Sequence, residues 1–179
     1  MRSLFLIFSL CISFFANADL TTAQIATLKT AIAAENDSTF VALRNGGATY
    51  DMAQWYNGQY SPATLAWVSN CTAKSLDEGS DYSAYDSVAA GKRDAWALFL
   101  QFAPRDLGKI KNRKVVTDVW GNATAASVAE SILQACTRNI NRAENLFGGS
   151  TTATMGTVTA RKLTWEGSLV EYDIVRALQ

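Results

Sequence analysis

Three pairs of neighbouring carboxylates have the spacing that acid–base work would need: Asp77 with Glu78, Asp81 with Asp86, and Glu166 with Glu171. Such pairs act as general acid and general base only when burial or a close charge drives their pKa values apart. All three lie in polar, turn-like sequence where solvated acids are expected, which argues against catalysis. The chain has no histidine, so the commonest general base and metal ligand is missing, and with it any Ser–His or Cys–His pair. Cys71 and Cys136 stand too far apart for metal-ligand spacing. In an oxidising compartment these two would pair; inside a cell they would remain two buried thiols. Gly46-Gly47 and Gly148-Gly149 are turn glycines rather than a phosphate loop. No catalytic, cofactor or metal site is expected, and the chain is read as non-enzymatic.

Binding chemistry is better represented. Residues 105–114 carry five cations, Arg105, Lys109, Lys111, Arg113 and Lys114, against the single acid Asp106. The plain reading of such a run is a solvated loop. Its functional reading is a contact for DNA or an acidic partner, because phosphate contacts need only clustered positive charge. Over the whole chain 16 cations balance 16 anions, and residues 1–18 hold just one of the cations, so nothing global points to nucleic acid. With 179 residues, 49% of them hydrophobic, the chain is long and apolar enough to bury one real core.

The elements that must position these groups follow from periodicity. Residues 1–18 have the form of a secretory leader, with Arg2, an apolar run over 4–15, then the small-x-small site Ala16-Asn17-Ala18; the other reading is an upstream extension of a chain whose ordered part starts near Leu20. Thr21 and Gln24 make a capping box, and Ile25, Leu28 and Ile32 carry a helix to about Glu35. A short helix is predicted over 38–44, closed by Asn45-Gly46-Gly47. Residues 50–60, with Trp55 and Tyr56, read as an aromatic loop-edge cluster. Pro62 suits a first helical position, which predicts a helix through Leu65, Trp67 and Val68 to Cys71. Residues 74–82 read as a polar connection, and a helix from Ser87, with Gly91 closely packed, stops before Pro104. Residues 115–120 are either extended or lead into the next helix.

That next helix is expected to be the organising one. Val128, Ile132, Cys136, Ile140, Ala143 and Phe147 recur at helical steps over residues 122–147, a rod of roughly 39 Å capped by Asn122 or Thr124 and stopped by Gly148-Gly149. Beyond it the composition turns to Ser, Thr and Gly. Residues 157–159 and 161–165 read as strands before a turn at Glu166-Gly167-Ser168, with period-two alternation continuing to a short apolar terminus. The fold expected is therefore mainly α: a helical bundle over residues 19–149 around the long helix, with a C-terminal β-hairpin or extended arm over 150–179. The arm would lie on its own domain or on a neighbouring subunit.

Several stretches also resemble, in order along the chain, a family of small virion-associated proteins of tailed, siphovirus-like bacteriophages and prophages. They are the opening Leu20-Thr21-Thr22-Ala23-Gln24-Ile25-Ala26-Thr27-Leu28-Lys29, the Gly91-Lys92 pair before an Arg- and Trp-bearing helix, and Asp118-Val119-Trp120. The most specific are Arg142-Ala143-Glu144 with Leu146-Phe147, then Leu163-Thr164-Trp165-Glu166-Gly167-Ser168-Leu169 after the Gly/Thr-rich link. The likeness covers nearly all of residues 20–175.

It implies a non-enzymatic virion protein, above all a ring-forming head–tail connector (adaptor), or else a neck or tail subunit. Its expected partners are copies of itself, the portal and other neck or tail proteins, with non-specific contact to packaged DNA and no membrane in the assembled form. Arg138, Arg142, Trp165, Leu169, Tyr172 and Ile174 are the candidate subunit contacts. The basic stretch would face DNA or an acidic neighbour, and loss of residues 151–179 would leave a folded monomer unable to join its partner. Residues 1–18 depart from this pattern, since phage particles assemble in the cytoplasm. They open the alternative of an exported periplasmic binding protein whose aromatics between Tyr50 and Tyr60 line a ligand cleft.

Overall fold

The computed structural model describes residues 19–122, 126–149 and 151–179; the leader reading and the Thr124 cap lie outside them. The chain opens with three helices, α1 (Thr22–Ala34), α2 (Ser38–Asn45) and α3 (Thr49–Asn57). The predicted capping box at Thr21 and Gln24 forms. Arg44 closes the far end of α1 by donating to the carbonyl of Ile32 at 2.7 Å. Strand β1 (Leu65–Trp67) comes next, then α4 (Ala73–Glu78), a 3-10 turn at Tyr82–Ser87, α5 (Ala90–Gln101) and α6 (Ile110–Trp120). The remainder is α7 (Ala126–Ala135), β2 (Thr137–Asn139), α8 (Arg142–Phe147), the hairpin β3 (Thr152–Met155) with β4 (Val158–Arg161), and α9 (Glu171–Leu178).

The expectation of a mainly helical bundle is overturned by a four-stranded mixed sheet ordered β2-β1-β4-β3. β1 pairs antiparallel with β2, Ala66 opposite Arg138, and parallel with β4, Ala66 opposite Arg161. Side chains alternate across a strand. Trp67 accordingly enters a large core with Trp96, Trp120, Ile132 and Leu133, while Ala66 meets Ile140 and Leu163. The helix predicted through Leu65 to Cys71 is this strand instead. Trp67 is held there by its indole N–H, which donates to the Ala153 carbonyl at 3.2 Å.

The long helix does not form either. Its apolar spacing survives, but the chain leaves helical geometry at Thr137–Asn139 to edge the sheet, and Asn141 starts a new helix. Asn141 accepts from the Glu144 N–H while Glu144 accepts from the Asn141 N–H, a second capping box inside the supposed rod. A C-terminal hairpin is present, but its strands begin at Thr152 and Val158, ahead of the expected positions. It turns at Gly156, whose φ of +59° is the left-handed value a glycine-first two-residue hairpin loop uses.

The region expected as the arm is largely structural. β3 and β4 complete the sheet, and α9 packs on α1 and α3 with Leu28, Ile32, Phe40, Met52 and Tyr56 in a second core. Asn57 clamps the approach to α9, donating to the Leu169 carbonyl at 2.8 Å and accepting its N–H at 2.7 Å. Loss of residues 151–179 would thus remove two strands and a core helix, so it is not the test of assembly that the sequence suggested. Residues 50–60 and 74–82 also contain more helix than expected, as α3 and α4. At Gly91 there is open space rather than close packing.

Close packing occurs at Gly79 instead. A methyl group placed there would stand 2.5 Å from the Ile132 Cα and 2.8 Å from its N, both backbone atoms of α7. Gly79→Ala is therefore expected to cost about 1–3 kcal/mol through overpacking, measured by urea unfolding. Gly91→Ala, free of such contacts, serves as the control.

Candidate functional surfaces

The five cations of the basic stretch do not share one fate. Arg105 lays its guanidinium over Phe99 at 4.6 Å and donates from Nε to the Phe99 carbonyl at 3.0 Å, so it works as a packing residue. Lys109 pairs with Asp106 at 3.3 Å. Lys111 and Lys114 are exposed on α6, which replaces the loop of the plain reading. Arg113 is only 3% exposed, stacked 4.8 Å over the Trp67 ring and donating to the Leu107 carbonyl. Its Nε has no hydrogen-bond partner, and burial holds its pKa below the usual guanidinium range, Asp106 opposing the shift.

Lys109, Lys111 and Arg113 nevertheless line one open groove of about 440 Å³, together with Ile110, Ala153 and Lys162. Nothing in the sequence marks Lys162, which lies far along the chain from the basic stretch. It arrives through the β3–β4 hairpin, just past whose end its N–H donates to the Thr151 carbonyl at 2.9 Å. Lys109, the residue before α6, offers no side-chain cap; its carbonyl takes the Asn112 and Arg113 N–H groups, and those of Ile110 and Lys111 have no capping side chain. Fixed positive ends of this kind favour an anion.

The six candidate subunit contacts also divide. Leu169 and Ile174 are interior to the second core, and within this fold they present no surface to a neighbour. Trp165 is half-buried with its ring edge-on to Phe147 at 5.2 Å. Arg138 makes a two-pronged ion pair with Glu144 at 2.6 and 2.7 Å and reaches Glu166 at 3.2 Å. Hydrogen bonding to Glu144 raises its pKa above the usual value. Arg142 covers the Trp55 ring at 4.2 Å and donates to the Trp55 carbonyl at 2.9 Å. Tyr172 alone of the six is freely presented, 61% exposed.

The aromatics between Tyr50 and Tyr60 do form a cleft, of about 340 Å³, bordered by Trp55, Tyr56, Tyr60, Glu35 and Arg142. The Tyr56 hydroxyl is buried without a partner, and burial, then Glu35, pushes its pKa well above the ordinary phenol value, keeping it neutral. The carboxylate pairs stay apart from it. Asp77, Glu78, Asp81 and Asp86 are exposed along α4 and the 3-10 turn, while Glu166 pairs with Arg138 and Glu171 accepts from Thr49 at 2.6 Å. Hydrogen bonds from the Ser83 side chain and backbone hold Asp81 below the usual carboxylate range.

Among the described residues no three His, Cys, Asp or Glu side chains are grouped to hold a metal, and no helix is long and apolar enough to cross a membrane. Cys71 and Cys136 are joined in a disulfide, with Cα atoms 5.5 Å apart. No protein-family model, curated protein or solved structure matches the chain. The functional reading therefore rests on these surfaces and on the resemblance described above.

Proposed function

We propose that this chain is a non-enzymatic structural subunit of a tailed-phage particle, a ring-forming head–tail connector or a neck or tail subunit, working through contacts with copies of itself. The observation that carries this reading is the set of large apolar side chains left outside two cores that are otherwise well filled. Tyr50, Val170, Tyr172 and Leu178 stand exposed on α3, on α9 and just before it. Leu98 and Phe102 stand exposed one helical turn apart on the other lobe, at the end of α5. Two different apolar faces on one subunit are what a head-to-tail contact needs, and such a contact closes into a ring when its rotation allows. Fully covering a large apolar side chain is worth about 1.5–3 kcal/mol, so completing the burial of several half-exposed ones supplies part of an interface.

The test is sedimentation velocity of the full chain against Tyr172→Glu combined with Leu178→Glu. Both positions are exposed, so folding is retained while a charge is buried in any contact they form. Self-association of the unaltered chain, weakened about a hundredfold or more in the double variant, is the expected result. A chain that stays solitary alone and in the presence of portal and tail components would overturn the reading.

One observation favours the second reading, an exported periplasmic binding protein: the Cys71–Cys136 bond, since such bonds persist in oxidising compartments. The cleft beside Tyr56 would then be its ligand site. N-terminal mass spectrometry separates the two, because recovery from the periplasm of a chain beginning at Asp19 would replace the virion reading by this one.

A further inference from the structure

We propose that the basic groove at the start of α6 is the seat for the acidic segment 77–86 of a second copy of this chain. The proposal rests on the self-assembly reading and names the polar half of that contact. On the receiving side, Lys109, Lys111, Arg113 and Lys162 border the groove, and Asp106, paired with Lys109, is the acid beside them. The uncapped first turn of α6 adds the positive end of its dipole. Neither feature would by itself identify a ligand. Arg113 is the independent observation: a guanidinium only 3% exposed borders the same groove with its Nε enclosed and without an acceptor and no ion pair among the described residues, so its charge is left for an anionic group in the groove to balance.

The floor decides between a protein and a nucleic acid. Ile110 is 59% exposed and Ala153 lies beside it, so the occupant must bring apolar surface as well as negative charge. A phosphate backbone brings only the charge. The same chain carries a segment with both. Between residues 77 and 86 there are four acids and no base, all four exposed, with the exposed ring of Tyr82 among them. Lys74 and Arg93 pair with Glu78 and Asp86. Asp77 accepts a hydrogen bond from the Tyr82 hydroxyl and Asp81 caps the 3-10 turn, but neither has a cation against it among the described residues. Opposite charges on separate elements of one chain let the groove of one copy take the segment of the next, the pairing a head-to-tail contact uses.

A charge exchange tests this on the full chain. Lys109→Glu with Lys111→Glu makes the groove acidic; Asp77→Lys with Asp81→Lys makes the segment basic; all four positions are exposed. Each double variant alone is expected to self-associate about tenfold or more weakly than the unaltered chain in sedimentation velocity, with association also falling as salt rises. Mixed in equal amounts the two variants are expected to associate again, each groove now facing a segment of opposite charge, which a merely misfolded variant would not do. Unchanged association in both variants would overturn the proposal while leaving self-assembly intact, whereas an unaltered chain that stays monomeric would overturn both. Binding of a double-stranded DNA oligonucleotide that is lost in Lys109→Glu with Lys111→Glu, without any change in self-association, would instead assign the groove to nucleic acid.

Discussion

Replacing Cys71 and Cys136 together by alanine is expected to lower the unfolding free energy by about 4 kcal/mol, the loop-closure contribution for a separation of 65 residues. For a chain of this size that corresponds to roughly 10 °C in melting temperature. The bond joins the loop after β1 to the end of α7. There Cys71 exchanges backbone hydrogen bonds with Arg105 at 2.8 Å, and the Cys136 carbonyl accepts from the Val68 N–H at 2.9 Å. These contacts remain without the bond, so the variant is expected to keep its native fold and lose mainly the restraint on its unfolded chain. Urea unfolding of the double variant beside the oxidised parent measures the difference. A loss below about 1 kcal/mol would show that the cross-link does not restrain the unfolded chain as that account requires.

Arg138→Met is expected to cost about 3 kcal/mol, the low end for breaking a buried ion pair, because water still reaches part of the arginine. Glu144, 2% exposed, would keep the N–H groups of Asn141 and Gly167 at 3.2 Å but lose the cation that balances its charge. Adding Glu144→Gln to Arg138→Met should recover part of the loss, since the amide carries no uncompensated charge while its single oxygen accepts one of the two N–H groups that Oε1 and Oε2 now take separately. The same urea series reads both values. If the two substitutions simply add, the pair is not coupled and Arg138 acts by packing alone.

Local signals in the sequence translated well into structure, and long-range ones did not. The Thr21–Gln24 box, the short helix ending in Gly46-Gly47 and the stop before Pro104 each depend on residues within one or two turns. The rod over 122–147 failed because its apolar spacing is shared by two helices and a strand that face the same interior. Asn141 followed three residues later by Glu144 is a helix start, and is the readable sign that the rod must break there. β1 could not be inferred from Leu65-Ala66-Trp67, since three residues carry no period and their strand geometry is imposed by partners at 137–139 and 161. At the C-terminus the alternation of Leu169, Glu171 and Asp173 suggested a strand. Ile174 and Ala177, both fully buried and one turn apart, belong instead to the inward face of α9. The groove was half visible. Its lysines at 109 and 111 are near neighbours in sequence, but the burial of Arg113 and the arrival of Lys162 are products of the sheet.

The second core closes only when segments from remote parts of the polypeptide meet: Leu20 accepts a hydrogen bond from Arg176, 156 positions later, and α1 and α3 rest on α9. Contacts this distant form late, after most loop-closure entropy has been spent. During synthesis the first three helices must therefore wait, partly uncovered, until α9 has left the ribosome. Tyr172 and Leu178, the exposed apolar side chains of α9, take their places at that same moment, so a nascent chain released before α9 lacks both them and the helix that covers the second core.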